Sequence, residues 1–291
     1  GFEDDFVPKG ATFTGKRKRA RSTMLRVANC LLGEDLGDDT LIIGTSGRYE
    51  FKNKGIDVFL ESLNRLNRDK DLKKKVLAFV NVPSWVGDPR EDLQKRLKSK
   101  DKFTEPLQCP FITHWLHNMT HDQVLDMLKY LGMGNRPEDK VKVIFVPCYQ
   151  DGHDGILNKH YYDLILGEDL SVYPSYYEPW GYTPLESVAF RVPTITTDLA
   201  GFGLWVNSLK NQHGINDGVE VLHRSDYNYS EVADGIKDTV ALFSTKTEAE
   251  IKEIRKRAGQ VAEQALWKHF IQYYYEAYDI ALRNAMKRQL K

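Results

Sequence analysis

The sequence is poor in cysteine, has no excess of charge of either sign, and contains no long apolar run. Its 291 residues include three cysteines, Cys30, Cys109 and Cys148, which lie far apart and form no CxxC pair. This pattern argues against a disulfide framework or a zinc site and suits a reducing compartment. Lys+Arg and Asp+Glu both number 41, so no overall field favours nucleic acid or an anionic membrane as a partner. No apolar run approaches the roughly 20 residues that cross a bilayer.

Two further absences bear on the setting of the chain. The first residues do not show the pattern of a signal peptide, and the sequence opens GFEDDFVPKG without an initiator methionine. We therefore expect a cytoplasmic protein with neither membrane nor nucleic acid among its partners, and we expect the chain to be part of a longer protein. A length of 291 residues is enough for one large domain or two small ones with a buried core.

Short apolar segments alternate with segments of helical periodicity along most of the chain. Helical spacing of apolar residues is clear in 54–68 and again in 121–133. The apolar segments do not alternate with polar residues, which suits strands covered on both faces. They are 41–47, 76–83, 141–148, 170–175, 192–198 and 219–224. Strands that alternate with helices predict an α/β fold with a doubly wound, parallel, Rossmann-like sheet.

The sequence pattern divides the chain into three parts. Residues 1–35 look irregular and then helical, and residues 246–291 look helical throughout. Between them, residues 36–245 hold the alternating strands and helices, with a charged helical insertion near 84–112. A basic run, Lys16–Arg21, lies in the first part. We expect it to be a solvated helix face rather than a patch for phosphate or nucleic acid.

The turn after the first predicted strand carries several cations, two of which lie next to its bounding glycines. This turn, TSGRYEFKNKG at 45–55, contains Arg48 and Lys54 beside a predicted helix N-terminus. The two could be ordinary surface charges. Because they occupy one glycine-bounded turn at the carboxyl end of a strand, where open parallel sheets bind ligands, they favour a diphosphate site.

The stretch SYYEPWGYTPLES places two carboxylates around a turn rich in aromatic residues, proline and glycine. Glu186 has a structural explanation, because residues 183–186 have the pattern of a capping box that opens a helix; it can also accept hydrogen bonds from a ribose. Glu178 has no such explanation, since it precedes a proline and would be costly to bury unpaired. Gly181 lets the backbone approach a ligand, and the N–H groups at 181–183 are placed to bind a phosphate.

The sequence offers no convincing metal site or hydrolase triad. His114, His117 and His121 have spacing compatible with one helix face, but no carboxylate or cysteine set completes the three or four ligands that zinc usually takes. Ser46 and Ser175 lack the G-x-S-x-G context of a hydrolase nucleophile. We therefore expect structural or solvent-exposed histidines and no metal cofactor.

Three stretches together resemble a known family. SGRYEFKNKG, YPSYYEPWGYTPLE and TTDLAGFG are similar to motifs of the fungal and animal type of glycogen synthase, glycosyltransferase family 3, which has the two-domain GT-B fold. Tyr173 stands where the family has phenylalanine. The resemblance runs from GFEDDFVPKG to the C-terminal helices. Because the family's enzyme is about twice as long, the resemblance implies that this chain is the C-terminal, donor-binding half, without the N-terminal Rossmann-like domain.

The resemblance also implies roles for individual residues. Arg48 and Lys54 match the pair that neutralises the nucleotide diphosphate, and with Glu178 they are the implied catalytic residues. Glu178 matches the acid that lies against the donor sugar, and Glu186 matches the acid that holds the ribose. Other matching positions bind UDP-glucose: the base-stacking Tyr161, with Tyr162 as the adjacent alternative, Trp180, and the phosphate cradle of Gly181, Tyr182 and Thr183.

The reaction that the family implies is transfer of glucose from UDP-glucose, with retention, to the non-reducing end of an α-1,4-glucan such as glycogen. Cations and a helix N-terminus, rather than a metal, would stabilise the leaving group, and UDP-glucose is a substrate rather than a cofactor. The implied partners are glycogen, the N-terminal domain of the same enzyme and, in the full-length form, other copies of the chain. Two alternatives stay open: a retaining GT-B transferase for another nucleotide sugar, and a non-catalytic module that binds a nucleotide sugar or a glucan.

One helix departs from the regulated members of the family. Those members bind glucose 6-phosphate through an arginine-dense helix before the tryptophan that matches Trp267. Here only Arg255 and Arg257 match, with Ile251 and Gln260 at other expected arginine positions. Acids alternate with the cations of this helix at i to i+3 and i to i+4 spacing. We therefore expect a self-neutralised surface helix and no activation by glucose 6-phosphate.

Overall fold

A computed structural model of the chain describes residues 1–289. Within that range the strands are β1 (Leu41–Ser46), β2 (Val76–Asn81), β3 (Val86–Pro89), β4 (His114–Leu116), β5 (Val141–Val146), β6 (Leu170–Val172), β7 (Thr194–Thr197) and β8 (Val219–Leu222). The helices are α1 (Gly10–Leu32), α2 (Ile56–Asn67), α3 (Glu91–Lys98), α4 (Gln123–Leu131), α5 (Tyr161–Ile165), α6 (Tyr182–Ala189), α7 (Gly201–Ser208), α8 (Tyr229–Ser244), α9 (Glu248–Gln264) and α10 (Trp267–Gln289), with a 3-10 turn at Ile215–Asp217.

Six of these strands form one parallel sheet in the order β5-β2-β1-β6-β7-β8. The chain moves outward from β1 through β2 to β5, and then returns to add β6, β7 and β8 on the other side of β1. This doubly wound parallel topology confirms the predicted fold. The order reverses between β1 and β6, and open α/β sheets bind ligands at such a reversal point.

Helices cover both faces of the sheet, which explains why its strands are apolar without alternation. Neighbouring residues of one strand enter different cores: Ile43 packs with α2, α4 and α8, and Ile42 packs with α1, α3 and α5. A third core joins α6, α7 and α9. Helix α2 has the predicted apolar stripe, and its N-terminal neighbour Gly55 adopts a φ of 70°, a conformation that glycine enters without strain.

The insertion near 84–112 differs from the prediction, because it is helical only over α3. Strand β3 precedes that helix and pairs antiparallel with β4, and the segment between α3 and β4 is irregular. The side chain of Arg90 is fully buried there and donates to the backbone oxygens of Gln108 and Cys109, at 2.6 and 2.7 Å. Because a side chain satisfies these carbonyls, the returning segment does not need a helix to do so.

The C-terminal part of the chain is helical, as predicted. The helices predicted for 246–291 are present as α9 and α10, and Leu290 and Lys291 lie outside the described residues. No helix within residues 1–289 is long and apolar enough to cross a membrane.

Candidate functional site

A cavity of about 420 Å³ opens at the carboxyl ends of β1, β2 and β5. It adjoins the point where the strand order reverses. Its walls come from the ends of these strands and from the first turns of α5 and α6. They comprise Ser46, Gly47, Arg48, Asn81, Pro83, Cys148, Tyr149, Gln150, Asp151, Tyr161 and Thr183.

Lys54 and Glu178, which are both predicted site residues, form an ion pair at this edge of the sheet. The Lys54 side chain runs beside the cavity wall, since a Cβ added to Gly47 would lie 4.0 Å from its Cδ. Glu178 is extended, as its position before a proline predicts. Its N–H donates to the oxygen of Leu199, and its own oxygen accepts from the N–H of Gly201. The two charged side chains are only 16% and 21% exposed, so each is the other's main counter-ion.

Arg48, the other predicted diphosphate cation, also reaches the cavity but is more exposed to solvent than Lys54. It lines the cavity wall, but its side chain is 76% exposed and pairs with Glu50 at 3.1 Å. Both predicted diphosphate cations therefore lie near the cavity and face acids of the same edge.

The capping box predicted at residues 183–186 is wrong. Helix α6 begins at Tyr182, after Gly181 with a φ of 107°, and no side chain caps it. This earlier start places Thr183 inside the first turn. The Glu186 carboxylate instead accepts a hydrogen bond from the Tyr162 hydroxyl at 2.8 Å. Burial raises the pKa of Glu186, and the bond from Tyr162 opposes that rise.

Two adjacent tyrosines of α5 have different surroundings. Tyr161 lines the cavity, and its hydroxyl lies 2.8 Å from the Ser46 hydroxyl. The ring of Tyr162 stacks on Phe6 at 5.0 Å, and its hydroxyl is the donor to Glu186. The ring that faces the cavity is therefore that of Tyr161, with Tyr162 beside it on the side of Glu186.

Two predicted substrate-binding residues, Trp180 and Tyr182, have side chains that lie outside the cavity wall. The indole of Trp180 packs against Phe202 and Trp205 of α7 and Phe270 of α10. It therefore anchors the turn before α6 against these two helices. Tyr182 is 62% exposed. The structure brings together Arg48, Lys54, Glu178, Tyr161 and Thr183 at one edge, and it places these two rings outside the cavity wall.

A polar pair in the cavity wall, Asn81 and Gln150, was not among the predicted site residues. The side-chain amide of Gln150 donates to the Asn81 oxygen at 2.8 Å, and both residues line the cavity. Asn81 is the last residue of β2, and Gln150 follows the end of β5. The sequence feature that could have identified this pair is Asn81, a polar residue at the end of an apolar strand, because parallel sheets bind ligands at that edge.

A family model described as "Glycogen synthase" matches residues 31–95 and 88–291. The chain belongs to the glycogen synthase family. Glycogen [starch] synthase of Neurospora crassa is 28% identical over 85% of this chain. Isoform 2 of the Saccharomyces cerevisiae enzyme is 29% identical over 87%, and the Caenorhabditis elegans enzyme is 32% identical over 64%.

The chain spans less than half the length of these relatives, since the aligned regions cover 42%, 44% and 35% of them. Among solved structures, WaaG, a glycosyltransferase involved in lipopolysaccharide biosynthesis, aligns with 84% of this chain and 46% of its own at 15% identity and a TM-score of 0.46.

A larger cavity of about 880 Å³ lies between α1 and α9, at the opposite edge of the sheet where β1 begins. The prediction that the basic run is a solvated helix face is wrong for two of its residues. Arg17 and Arg21 turn inward and bind the Asp169 carboxylate at 2.6 and 2.8 Å. Asp169 is a buried acid at the entrance to β6, and a buried charge requires partners of this kind.

Helix α9 is only partly self-neutralised, which corrects a second prediction. Glu253 does pair with Lys256 and Arg257, at 4.0 and 3.4 Å. Arg255 instead points into the cavity beside α1. Burial and the charge of Arg17 lower its pKa to about 9, and its Nη2 has no hydrogen-bond partner within residues 1–289. Arg255 is therefore an exception to the self-neutralised pattern of this helix.

One group of potential metal ligands lies behind the cavity wall. The ligand atoms of His114, Cys148 and Asp154 are within 4.8 Å of one another. His114 lies in β4 and is a buried structural histidine, as expected from the sequence. Its ring nitrogens already contact the Thr113 hydroxyl at 2.8 Å and the Asp154 backbone oxygen at 2.7 Å. The Asp154 carboxylate accepts the N–H groups of 156–158. Because His114 and Asp154 are hydrogen-bonded to the backbone, these two residues support the loop after β5.

Proposed function

We propose that the chain is the donor-binding domain of a glycogen synthase. It binds UDP-glucose and, with an N-terminal domain, transfers glucose with retention to the non-reducing end of an α-1,4-glucan. The observation that carries the proposal is the Lys54–Glu178 ion pair beside the cavity at the reversal point of the sheet, in a chain of this family. A partly buried cation and acid at a ligand-binding edge suit a substrate that carries both phosphates and a sugar.

The phosphates of the donor are assigned to three groups. Lys54 and Arg48 neutralise the diphosphate, and the first N–H groups of α6, which have no partner inside the helix, hold the distal phosphate at 181–183. The positive end of the helix dipole adds to their effect. Charge that develops on the departing UDP is stabilised by these fixed groups, so the proposed chemistry uses no metal cofactor.

The other parts of the donor are assigned to the acids and tyrosines. Glu178 lies against the glucose, and Glu186 holds the ribose while Tyr162 orients its carboxylate. Tyr161, as a wall of the cavity, stacks on the base. Trp180 acts through the turn that it anchors, and Tyr182 contributes its backbone.

The proposal extends to the organisation of the full enzyme. Residues 36–245 form the nucleotide-sugar domain. Residues 1–35 lead into it from the acceptor-side domain, and residues 246–291 are the C-terminal helices that follow it. We propose a cytoplasmic enzyme whose partners are glycogen and, in the full-length form, other copies of itself. The lengths of the family's curated members support a second domain.

Isothermal titration of the chain with UDP, UDP-glucose, ADP and uridine tests the proposal. We expect UDP and UDP-glucose to bind, ADP to bind at least about tenfold more weakly, and uridine to bind more weakly than UDP. A preference for ADP would favour the alternative of a transferase for another nucleotide sugar. Failure of every nucleotide to bind would contradict a donor-binding domain.

A further inference from the structure

Two side-chain amides lie together in the wall of the cavity at the carboxyl edge of the sheet. Asn81 is the last residue of β2, and Gln150 follows β5, the strand that pairs with β2. The amide nitrogen of Gln150 donates to the amide oxygen of Asn81 at 2.8 Å. Asn81 is only 9% exposed, so the packing around β2 holds the pair in place.

The hydrogen bond between the amides uses only part of what they offer. Each amide carries an NH₂ group with two donors and an oxygen that accepts. Within residues 1–289 the two side chains make no other hydrogen bond, so the NH₂ group of Asn81 and the oxygen of Gln150 remain free. If both amides turn over, the same two kinds of group remain free with their positions exchanged. The pair therefore presents one donor group beside one acceptor in either arrangement.

Hydrogen bonds hold this pair next to the ring of Tyr161. The backbone N–H of Tyr161 donates to the backbone oxygen of Gln150 at 3.0 Å. Ser46 is the partner of Asn81 in the register of β1 and β2, and its hydroxyl lies 2.8 Å from the hydroxyl of Tyr161. All four residues line the cavity. One wall thus offers an aromatic ring for the face of a planar ligand and the amide pair for its edge.

The free groups of the pair determine which ligand edge they fit. A matching ligand places an acceptor directly beside a donor. Uracil does so, because its N3–H lies between two carbonyl oxygens, and proteins that bind single bases use hydrogen bonds of this kind together with stacking. Since the edge reads acceptor, donor, acceptor, it fits both arrangements of the amide pair.

We propose that Asn81 and Gln150 recognise the base of the donor nucleotide. The oxygen of Gln150 accepts from uracil N3–H, and the NH₂ group of Asn81 donates to the carbonyl oxygen beside it. The inference rests on the proposed function, because it takes the base to stack on Tyr161. It adds two side chains that make the binding of the base depend on its hydrogen-bonding edge.

A base with a blocked edge leaves the pair without partners. A methyl group on N3 removes the donor and keeps the neighbouring carbonyl oxygens away from the amides, and buried polar groups without hydrogen bonds cost free energy. Asp151 is another acceptor in the cavity wall. Its carboxylate already accepts the N–H of His153 at 2.9 Å, and its negative charge opposes a diphosphate. The uncharged pair therefore suits the base better than this acid does.

Titration calorimetry with three ligands tests the proposal: UDP, UDP methylated at N3, and inorganic pyrophosphate, which lacks a base. Methylation should weaken binding to the unmodified chain by about tenfold or more, because two hydrogen bonds are lost. In Gln150→Leu, UDP should bind about fivefold or more weakly than to the unmodified chain. The methylated form should bind this variant within about twofold of UDP, because an apolar side chain accepts the methyl group and no hydrogen bond remains to be lost.

Two further variants complete the experiment. Asn81→Leu removes the other amide of the pair and should also bring UDP and its methylated form to similar affinities. Gln94→Leu is the matched control, because the Gln94 amide donates to the backbone oxygen of Gly155 at 3.0 Å and lies outside the cavity wall. It should keep the preference of the unmodified chain for UDP. Pyrophosphate should bind all of these variants equally, which shows that the diphosphate site is intact.

Two results would overturn the inference. One is equal binding of UDP and its methylated form to the unmodified chain. The other is a full preference for UDP that persists in both Gln150→Leu and Asn81→Leu, which would assign N3–H to another group of the wall such as Asp151. In both cases UDP still binds, so the proposed function stands without the inference. If neither UDP nor pyrophosphate binds the unmodified chain, the proposed function fails and the inference falls with it.

Discussion

At the scale of residues, Lys54 and Glu178 are each other's main counter-ions beside the cavity. Removal of one partner of a mostly buried pair leaves the other without compensation. A diphosphate offers Lys54 a stronger partner than a single carboxylate does, and a bound sugar offers Glu178 hydroxyl donors. Under the proposed function, we therefore expect binding of the donor to separate this pair and to give each residue a new partner, and variants of both residues test this.

Lys54→Ala should weaken UDP binding by about 1.5–3 kcal/mol, the range for hydrogen bonds to charged groups. Uridine, which lacks the diphosphate, should bind almost as before, and the exposed neighbour variant Lys52→Ala should leave UDP binding unchanged. Titration calorimetry with the two ligands measures the difference. Equal losses for uridine and UDP would remove Lys54 from the diphosphate site.

Glu178→Gln should lower kcat on the order of a hundredfold in the enzyme that contains both domains, because the acid acts on transition-state charge and sugar position. UDP should bind at least as tightly as before, since Lys54 loses a competing carboxylate. Steady-state kinetics and UDP titration of the same preparation separate the two effects. Turnover close to that of the unmodified enzyme would assign Glu178 a structural role.

At the scale of elements, Asp169 joins α1 to the sheet. Its carboxylate binds Arg17 and Arg21 of α1 and accepts the N–H of Ile42 in β1 at 2.9 Å. Burial alone would raise the pKa of Asp169, but the two arginines and the N–H hold it below its ordinary value. The stabilisation is therefore present above the ordinary pKa of an aspartate and is lost as pH falls through the lowered value.

Asp169→Asn should lower the free energy of unfolding by about 3–5 kcal/mol at neutral pH, because it leaves two partly buried arginines without a counter-charge. Urea denaturation measures this loss, which should shrink in acid. Asp163→Asn removes a half-exposed partner of Lys16 and should lower the free energy by about 0–1 kcal/mol. Similar losses for the two variants would show that Asp169 is an ordinary surface partner.

Elements with a local pattern could be predicted from the sequence, and elements fixed by distant contacts could not. The six strands of the parallel sheet follow from short apolar segments and α2 follows from apolar periodicity, and the convergence of their turns follows from a parallel sheet. The inward direction of Arg17 depends on Asp169, which is 152 positions away. Likewise, Glu186 faces Tyr162, 24 positions before it, and this contact replaces the capping box that a local pattern suggested.

At the scale of the whole molecule, two cavities lie at opposite edges of one sheet. The larger one, between α1 and α9, is rich in arginine. The smaller one lies at the carboxyl edge beside Lys54 and Glu178. We expect the donor nucleotide to occupy the smaller cavity. Strand order supports this choice, because doubly wound sheets bind nucleotides at the carboxyl ends of strands where the order reverses.

A crystal structure of the chain with UDP would show which cavity the nucleotide occupies. We expect the base on the Tyr161 ring, the diphosphate between Arg48, Lys54 and the first N–H groups of α6, and Lys54 separated from Glu178. UDP bound between α1 and α9, with the ion pair of Lys54 and Glu178 intact, would rule out this assignment.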